Sequence, residues 1–287
     1  MIALVFNNTS NFHQGCRAVM HILHEDLESN GVIILSSVKS MEHFHYNERN
    51  FDKARAIIIN GEGTMHHNAP LACQYLDLIL KAASSNKKIF LINTVWQDMF
   101  LSSELIEILQ NSYISVRDIK SQRELEKNNI KSHFHLDLSY SMKVPFSKSK
   151  RDGLVMGTFS MGQDKRKEST SSINIFTENW EDLVTRLSKA DYLITSRHHE
   201  MYAACLARCP FYIYQGNSWK NEGLLEAAGA KIPCRKEDTK VLNFMKGNEY
   251  SVIFHEEVRE IEDNRQEYDK LFNWMEDQKP FTFKGLL

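Results

Sequence analysis

The sequence predicts an α/β protein built on parallel β-sheets. Short apolar, β-branched runs, each about the length of a buried strand, alternate with longer amphipathic segments of helical spacing. This alternation is typical of βαβ units, in which helices cover both faces of a parallel sheet. The 287 residues are enough for two domains or for one large α/β domain, with a core that needs no disulfide or metal.

The predicted elements alternate along the whole chain. In the first part, strands are expected at residues 2–6, 32–35, 56–59, 89–92 and 114–116. Helices are expected at 15–30, 71–83 and 102–109, and Gly31 is a suitable residue to end the first of them. In the second part, strands are expected at 154–159, 173–176, 192–195 and 211–214, and helices at 180–189, 199–208 and 255–278.

A polar, basic stretch at residues 141–152 interrupts this alternation and is interpreted as a linker between two domains. The predicted domains are 1–142 and 153–254, and the segment 255–287 is expected to be a helix that packs back towards the first domain. The second domain is short, because only 13 residues separate Phe159 from Ile173.

Composition and charge exclude several classes of protein. The 35 Lys and Arg residues nearly balance 37 Asp and Glu residues, which argues against a nucleic-acid-binding protein. The longest apolar runs are far shorter than a membrane helix requires, and no signal peptide is expected. Five scattered cysteines are typical of reduced thiols, so we expect a cytoplasmic protein. An anionic ligand would have to be held by a local cluster of cations.

Two loops of the first domain are candidates for ligand binding. The loop 8–15 follows the first strand and leads into a helix, whose N-terminal N–H groups suit an anion. The loop 60–68 contains Gly61 and Gly63, which permit close approach of a ligand to the backbone. Glu62 between them is a candidate general base, and helix capping is the alternative for both loops. The residues expected to face the acceptor are Asn8, Asn11, His13, Gly15, Arg17, Gly61, Gly63, Thr64 and His66.

Cationic side chains follow two further strands. Arg117 lies at the end of a strand, where its guanidinium suits a carboxylate or phosphate; a surface pair with Asp118 is the alternative. Arg197, His198 and His199 lie where a strand meets an alanine-rich helix, which indicates an anion site with a proton donor. Adjacent histidines point in different directions on a helix, so no metal site is predicted, and a packed core histidine is the alternative for either.

A donor-rich loop after the next strand is expected to line the same cleft. It contains Gln215, Asn217, Ser218 and Lys220. Capping of the following helix explains Asn217 and Ser218 equally well.

Four segments, taken in order, resemble the polysaccharide pyruvyl transferase family. They are the loop that leads through Gly15 into a helix, the glycine-rich loop 60–64, the SVRD segment 115–118, and the segment TSRHHEMYAACLARCPFYIY that begins at Thr195. The resemblance implies two Rossmann-like lobes that face each other across a cleft, as in GT-B glycosyltransferases, with a shortened second lobe. It also implies transfer of a pyruvyl group from phosphoenolpyruvate to a pair of sugar hydroxyls, forming a ketal on a surface polysaccharide.

The resemblance assigns roles to matching residues. Arg117 and Arg197 match family arginines and would bind the anionic donor, and His199 matches the histidine proposed as general acid. His198 stands where the family usually has leucine, and Glu62 where it usually has glycine. The predicted catalytic residues are His199, Arg197 and Glu62. The predicted donor-binding residues are Arg117, Arg197, His198, Gln215, Asn217, Ser218 and Lys220. Phosphoenolpyruvate is the expected donor substrate, with no cofactor and no metal.

Two alternatives stay open at this point. One is a GT-B-like glycosyltransferase that uses a nucleotide-activated sugar, and the other is a non-catalytic glycan-binding relative. The expected acceptor is a glycan or a lipid-linked oligosaccharide. The basic stretch 143–151 and the aromatic residues Trp274, Phe281 and Phe283, expected to be exposed, raise the further hypothesis of contact with the inner face of a membrane.

Overall fold

The computed structural model describes residues 1–39, 48–145, 154–157, 173–236 and 255–286. These residues form an α/β fold with one six-stranded and one four-stranded parallel sheet, as the sequence predicts. The chain divides into two compact units. The first unit comprises Met1–Asn11, Val19–Leu138 and Lys279–Leu287, and the second comprises Phe12–Ala18 and Ser139–Gln278.

The sheet of the first unit contains six strands. They are β1 (Ile2–Phe6), β2 (Ile33–Val38), β3 (Ala56–Glu62), β4 (Lys88–Thr94), β5 (Tyr113–Val116) and β6 (His133–Phe134). Their order is β2-β1-β3-β4-β5-β6, so the direction of strand progression reverses between β1 and β3. In parallel α/β sheets the carboxyl ends of strands at such a switch point form a crevice suited to ligands.

Within the described residues, the helices that accompany this sheet are α1 (Gln14–Ser29), α2 (Glu48–Lys53), α3 (Pro70–Ser84), α4 (Ser103–Gln110) and α5 (Ile119–Glu126). Alternate residues of β3 enter two different cores, with Ile57 and Ile59 on one face and Ile58 on the other. Both faces are therefore covered, which explains the continuous apolar runs in the sequence. Gly31 follows α1 with a φ of 73°, in agreement with its predicted role as a helix stop.

The described part of the second unit contains four strands: β7 (Leu154–Met156), β8 (Tyr192–Thr195), β9 (Phe211–Tyr214) and β10 (Cys234–Arg235), in the order β10-β9-β8-β7. Its helices are α6 (Trp180–Lys189), α7 (His198–Leu206), α8 (Lys220–Ala227), α9 (His255–Asp263) and α10 (Arg265–Asp277). The strand predicted at 173–176 is wrong, because this segment forms turns. The Asn174 side chain accepts the Phe176 N–H at 2.9 Å, a local bond that competes with strand pairing.

The C-terminal segment divides between the two units. Instead of one helix there are two, and both α9 and α10 pack on the second unit, where the Tyr268 hydroxyl donates to the backbone oxygen of Phe211. Only the residues from Lys279 onwards join the first unit, where the Phe283 N–H donates to Asp26 at 2.7 Å. Phe281 and Phe283 are 6% and 0% exposed, so the expectation that they are exposed aromatics is wrong.

Burial of these two rings follows from aromatic packing in the first unit. Phe283 packs edge-on against Phe90, and Phe281 lies near Tyr113.

Most of the basic stretch 143–151 lies outside the described residues. Among the described residues, every helix is too short or too polar to cross a lipid bilayer.

Candidate functional site

A hydrogen-bonded group of polar residues lies at the carboxyl ends of β1, β3 and β4, beside the switch point of the first sheet. We call it the strand-end cluster; its members are Asn7, Thr9, Asn60, Glu62, Thr64 and Asn93. Asn7 Nδ2 donates to the backbone oxygen of Asn60 at 2.6 Å and to Thr64 Oγ1 at 3.2 Å. Glu62 Oε1 accepts from Thr9 Oγ1 at 2.5 Å and from Asn60 Nδ2 at 3.0 Å. The network fixes the loops that follow β1 and β3 against each other.

The backbone at the ends of the same three strands is left-handed. Asn7, Glu62 and Asn93 have φ values of 61°, 40° and 51°. Asparagine tolerates this region, whereas for glutamate it is strained. Glycine adopts it freely, which gives a physical reason for the glycine that the family usually has where this chain has Glu62. The two hydrogen bonds to Oε1 hold the glutamate in this conformation.

The Glu62 side chain lies in a largely buried environment beside Tyr75. Burial raises the pKa of the Tyr75 hydroxyl, and the charge of Glu62 raises it further. A carboxylate held in this way has the chemistry of a general base, but one of its oxygens already accepts two hydrogen bonds.

The other acceptor residues predicted in the first unit mostly serve the fold of their loops. A Cβ on Gly61 would lie 2.1 Å from Thr94 Oγ1, so glycine is required there by the packing of β3 on β4. The Thr64 N–H donates back to the Gly61 oxygen across the turn that contains Gly63. Asn8 Nδ2 donates to Ser37 Oγ at 2.9 Å. Asn11 and Arg17 are exposed, and His66 forms a backbone bridge with Gln97.

Arg117 is paired inside the first unit. It is 2% exposed, and its Nη1 lies 2.5 Å from Oδ2 of the buried Asp137. The alternative of a surface pair with Asp118 is wrong, because Asp118 is buried and caps α5 by accepting the Ser121 N–H at 2.8 Å. Burial raises the pKa of Asp118, and the hydrogen bonds from Ser121 oppose that rise. The charge of Arg117 is therefore already compensated by a carboxylate.

In the second unit, three predicted residues lie at the start of α7. Arg197 is the residue that precedes the helix, and its guanidinium lies over the Phe176 ring, 5.4 Å from the ring centroid. His198 and His199 form the first turn of the helix and are both buried. Because the N-terminus of a helix carries a partial positive charge, these groups together favour an anion.

The hydrogen bonds of Asn221 determine the tautomer of His198. Asn221 Nδ2 donates to the backbone oxygens of Tyr214 (3.1 Å) and Ser196 (3.5 Å), so its Oδ1 faces His198 Nδ1 at 2.9 Å. That oxygen can only accept, and the proton must therefore lie on Nδ1 of His198. Asn221 therefore anchors the His198 ring at the start of α7.

His199 packs against the N-terminus of α1. Its ring centroid lies 5.0 Å from that of His13, whose ring in turn contacts Phe176. A Cβ on Gly15 would lie 2.4 Å from the Cβ of His199, so only glycine fits at this position. The second unit thus brings together His13, Gly15 and His199, three residues that the sequence analysis assigned to two different loops. Cys16, which it did not assign to the site, lies beside them, with its Sγ 3.4 Å from His13 Nε2.

The loop after β9 is held by contacts within the second unit. Lys220 Nζ donates to Asn217 Oδ1 at 2.6 Å, and the Gln215 N–H donates to the Arg235 oxygen. Ser218 is buried. Trp219, and neither Asn217 nor Ser218, occupies the N-cap position of α8.

The family of the chain follows from comparison with known proteins. A family model for polysaccharide pyruvyl transferases matches residues 16–217. The chain belongs to the polysaccharide pyruvyl transferase family. The match runs from the first turn of α1 to the loop after β9, including the α7 segment, and confirms the prediction of a transferase. No curated protein matches the chain significantly.

Solved structures support the fold. A functionally uncharacterized protein from Klebsiella pneumoniae has a TM-score of 0.54 at 13% identity, covering 82% of this chain and 93% of its own. A putative UDP-N-acetylglucosamine 2-epimerase from Listeria monocytogenes has a TM-score of 0.53 at 9% identity, covering 94% and 90%. The spinosyn rhamnosyltransferase SpnG, complexed with thymidine diphosphate, has a TM-score of 0.51 at 9% identity, covering 97% of each chain. At such identities the likeness concerns the fold alone, and it confirms the predicted GT-B-like fold class.

Proposed function

We propose that this pyruvyl transferase uses phosphoenolpyruvate as donor and forms a ketal with two hydroxyls of a sugar in a surface glycan or lipid-linked glycan. In this reaction C3 of the donor takes a proton and becomes a methyl group. The oxygen of one hydroxyl bonds to C2. The oxygen of the second hydroxyl then bonds to C2 as the C2–O bond to phosphate breaks, and inorganic phosphate leaves with the remaining proton.

The observation that carries this proposal is the presence of both a guanidinium, from Arg197, and an imidazole, from His199, at the N-terminus of α7. Arg197 is half-buried and its guanidinium lies over Phe176, whereas His199 is held between α7 and the first turn of α1. Phosphoenolpyruvate carries a carboxylate and a phosphate, and the reaction needs both a cation for these groups and a proton for C3. We assign the cation to Arg197 and the proton to His199.

The remaining roles follow from what each side chain contacts. His198, oriented by Asn221, adds a second imidazole at the same helix end. In the first unit, Glu62 is the candidate that would take a proton from an acceptor hydroxyl. Arg117 has no role at the donor in this proposal, since Asp137 compensates its charge.

Phosphate release from phosphoenolpyruvate in the presence of an acceptor glycan tests the proposal. We expect Arg197→Ala and His199→Asn each to lower kcat/KM by about 100-fold or more. Arg259→Ala removes an exposed arginine of the same unit and is the matched control, with activity expected to stay at the level of the unsubstituted enzyme.

Thermal denaturation with added ligands separates the donors. Phosphoenolpyruvate should raise the Tm of the protein, and the increase should disappear in Arg197→Ala. Stabilisation by a nucleotide sugar, without any by phosphoenolpyruvate, would instead support a glycosyltransferase and overturn the proposal. Stabilisation by glycans alone, without phosphate release, would favour a non-catalytic binding protein.

A further inference from the structure

Three potential metal ligands converge in the second unit, at the N-termini of α1 and α7. One ligand atom each from His13, Cys16 and His199 lies within 4.8 Å of the other two. The three residues are 9%, 1% and 5% exposed. We call this group the His–Cys–His cluster. Histidine and cysteine are preferred zinc ligands.

The spacing of the cluster is close to that of a tetrahedral site. Zinc binds sulfur at about 2.3 Å and nitrogen at about 2.0–2.1 Å, so neighbouring ligand atoms around one ion lie about 3.4–3.6 Å apart. The separation of Cys16 Sγ from His13 Nε2 is 3.4 Å. The rings of His13 and His199 meet edge to face at 67° instead of stacking. If the two ligand atoms that lie farthest apart moved slightly closer together, all three residues could bind one ion.

The donor set favours a borderline-soft metal. One thiolate and two imidazoles suit zinc, whereas magnesium and calcium prefer oxygen. Three protein ligands leave a fourth tetrahedral position for water or a substrate oxygen. The ring of His13 also caps α1, since its Nδ1 accepts the Cys16 N–H at 3.3 Å. For Nε2 to bind an ion, the imidazole proton must move to Nδ1. Binding therefore exchanges the hydrogen bond at Nδ1 and the contact of Nε2 with Cys16 Sγ for three metal–ligand bonds.

We propose that the His–Cys–His cluster binds Zn²⁺ and that the bound ion inhibits transfer by occupying His199. The Cys16 thiol proton is released to solvent when the Zn–S bond forms. The inhibitory part rests on the proposed function, because it requires His199 to deliver the proton. The binding part does not depend on any substrate.

Cobalt titration of the full chain, after treatment with a chelator, tests the binding part. We expect one equivalent of Co²⁺ to give a sulfur-to-cobalt charge-transfer band in the near ultraviolet and the strong visible bands of a tetrahedral ion. Cys16→Ser should abolish the near-ultraviolet band. His13→Asn should weaken Zn²⁺ binding at least tenfold while retaining an oxygen that can cap α1. Cys73→Ser, which alters an exposed cysteine of the first unit, should keep both bands.

The outcomes separate the two proposals. A charge-transfer band that survives in Cys16→Ser, with circular dichroism and Tm showing a folded protein, would overturn the site, as would the absence of stoichiometric binding. Loss of the band in Cys73→Ser would show an adventitious surface site only. In an enzyme active with phosphoenolpyruvate, Zn²⁺ should reduce phosphate release and a chelator should restore it. Zinc binding without such inhibition would overturn the inhibitory role alone. If the enzyme is inactive with phosphoenolpyruvate, the proposed function fails, but the cobalt titration still tests metal binding.

Discussion

Substitutions of Glu62 test whether its side chain compensates for a strained backbone. The residue has a φ of 40°, and its Oε1 accepts hydrogen bonds from Thr9 and Asn60. Glu62→Gln keeps an acceptor oxygen at the same place. Glu62→Gly removes the acceptor but relieves the backbone, whereas Glu62→Ala removes the acceptor and keeps a Cβ on a left-handed backbone. The three variants therefore separate the hydrogen bonds from the strain.

The structure gives an order of stability for these variants. Two hydrogen bonds at about 1–1.5 kcal/mol each make the loss in Glu62→Ala about 2–3 kcal/mol. Relief of the left-handed conformation returns about 1 kcal/mol in Glu62→Gly, after allowance for the greater flexibility of glycine in the unfolded chain. Glu62→Gln should lose less than about 1 kcal/mol. The free energy of unfolding should be highest for Glu62→Gln, intermediate for Glu62→Gly and lowest for Glu62→Ala.

Denaturation by urea, followed by circular dichroism at one protein concentration, measures this order. Because the chain has two units, free energies of unfolding should be compared only between variants whose urea transitions have the same slope m. A Glu62→Ala protein as stable as Glu62→Gly would show that the left-handed backbone stores no strain. An equal loss in all three variants would show that the charge of Glu62, and not the hydrogen-bond geometry, stabilises the loops.

Three further predictions concern packing, charge and pH. Gly15→Ala places a Cβ against His199 and should cost about 1–3 kcal/mol and most of the activity, whereas Gly216→Ala, with its nearest neighbouring atom at 3.6 Å, should be tolerated in thermal denaturation. Asp137→Asn leaves the Arg117 charge buried without its partner and should lower the unfolding free energy by about 3–5 kcal/mol; a loss below about 1 kcal/mol would contradict a buried ion pair. Burial lowers the pKa of His135 from its usual 6.5, so the unfolded chain takes up this proton first and stability falls as the pH drops below about 6.5; His135→Gln should reduce the difference in urea midpoint between about pH 7.5 and about pH 5.5.

The sequence was sufficient for the fold class because the fold depends on periodicity. Buried parallel strands require continuous apolar runs, and β3 shows why, since its side chains enter a core on each face. The failure at 173–176 has a local cause. The apolar residues Ile173 and Ile175 are buried there as a strand's would be, but Asn174 binds the backbone of Phe176 and turns the chain. The pattern of apolar residues predicts which side chains are buried. It does not predict the turn, which depends on the Asn174 side chain alone.

The candidate site was only partly predictable, because partners in a site lie far apart in the sequence. Arg117 had the position expected of a ligand-binding arginine, at the carboxyl end of a strand, yet Asp137 compensates its charge. Asn221 and Cys16 had no motif of their own. Asn221 matters because it orients His198, and Cys16 because the first turn of α1 brings it to His13. No spacing rule connects either residue with α7.

Two glycines show what sequence and structure each contribute to a site. Gly61 was expected to let a ligand approach the backbone and Gly15 to face the acceptor, but their hydrogen atoms make room for Thr94 and His199 of this chain itself. The left-handed backbone that glycine would favour occurs instead at Glu62. A glycine beside a candidate site therefore indicates close approach without identifying what approaches. At Gly15 the approaching group is His199, the acid of the proposed reaction. The first turn of α1 therefore positions this side chain, and variants in that turn are expected to alter phosphate release through the position of His199.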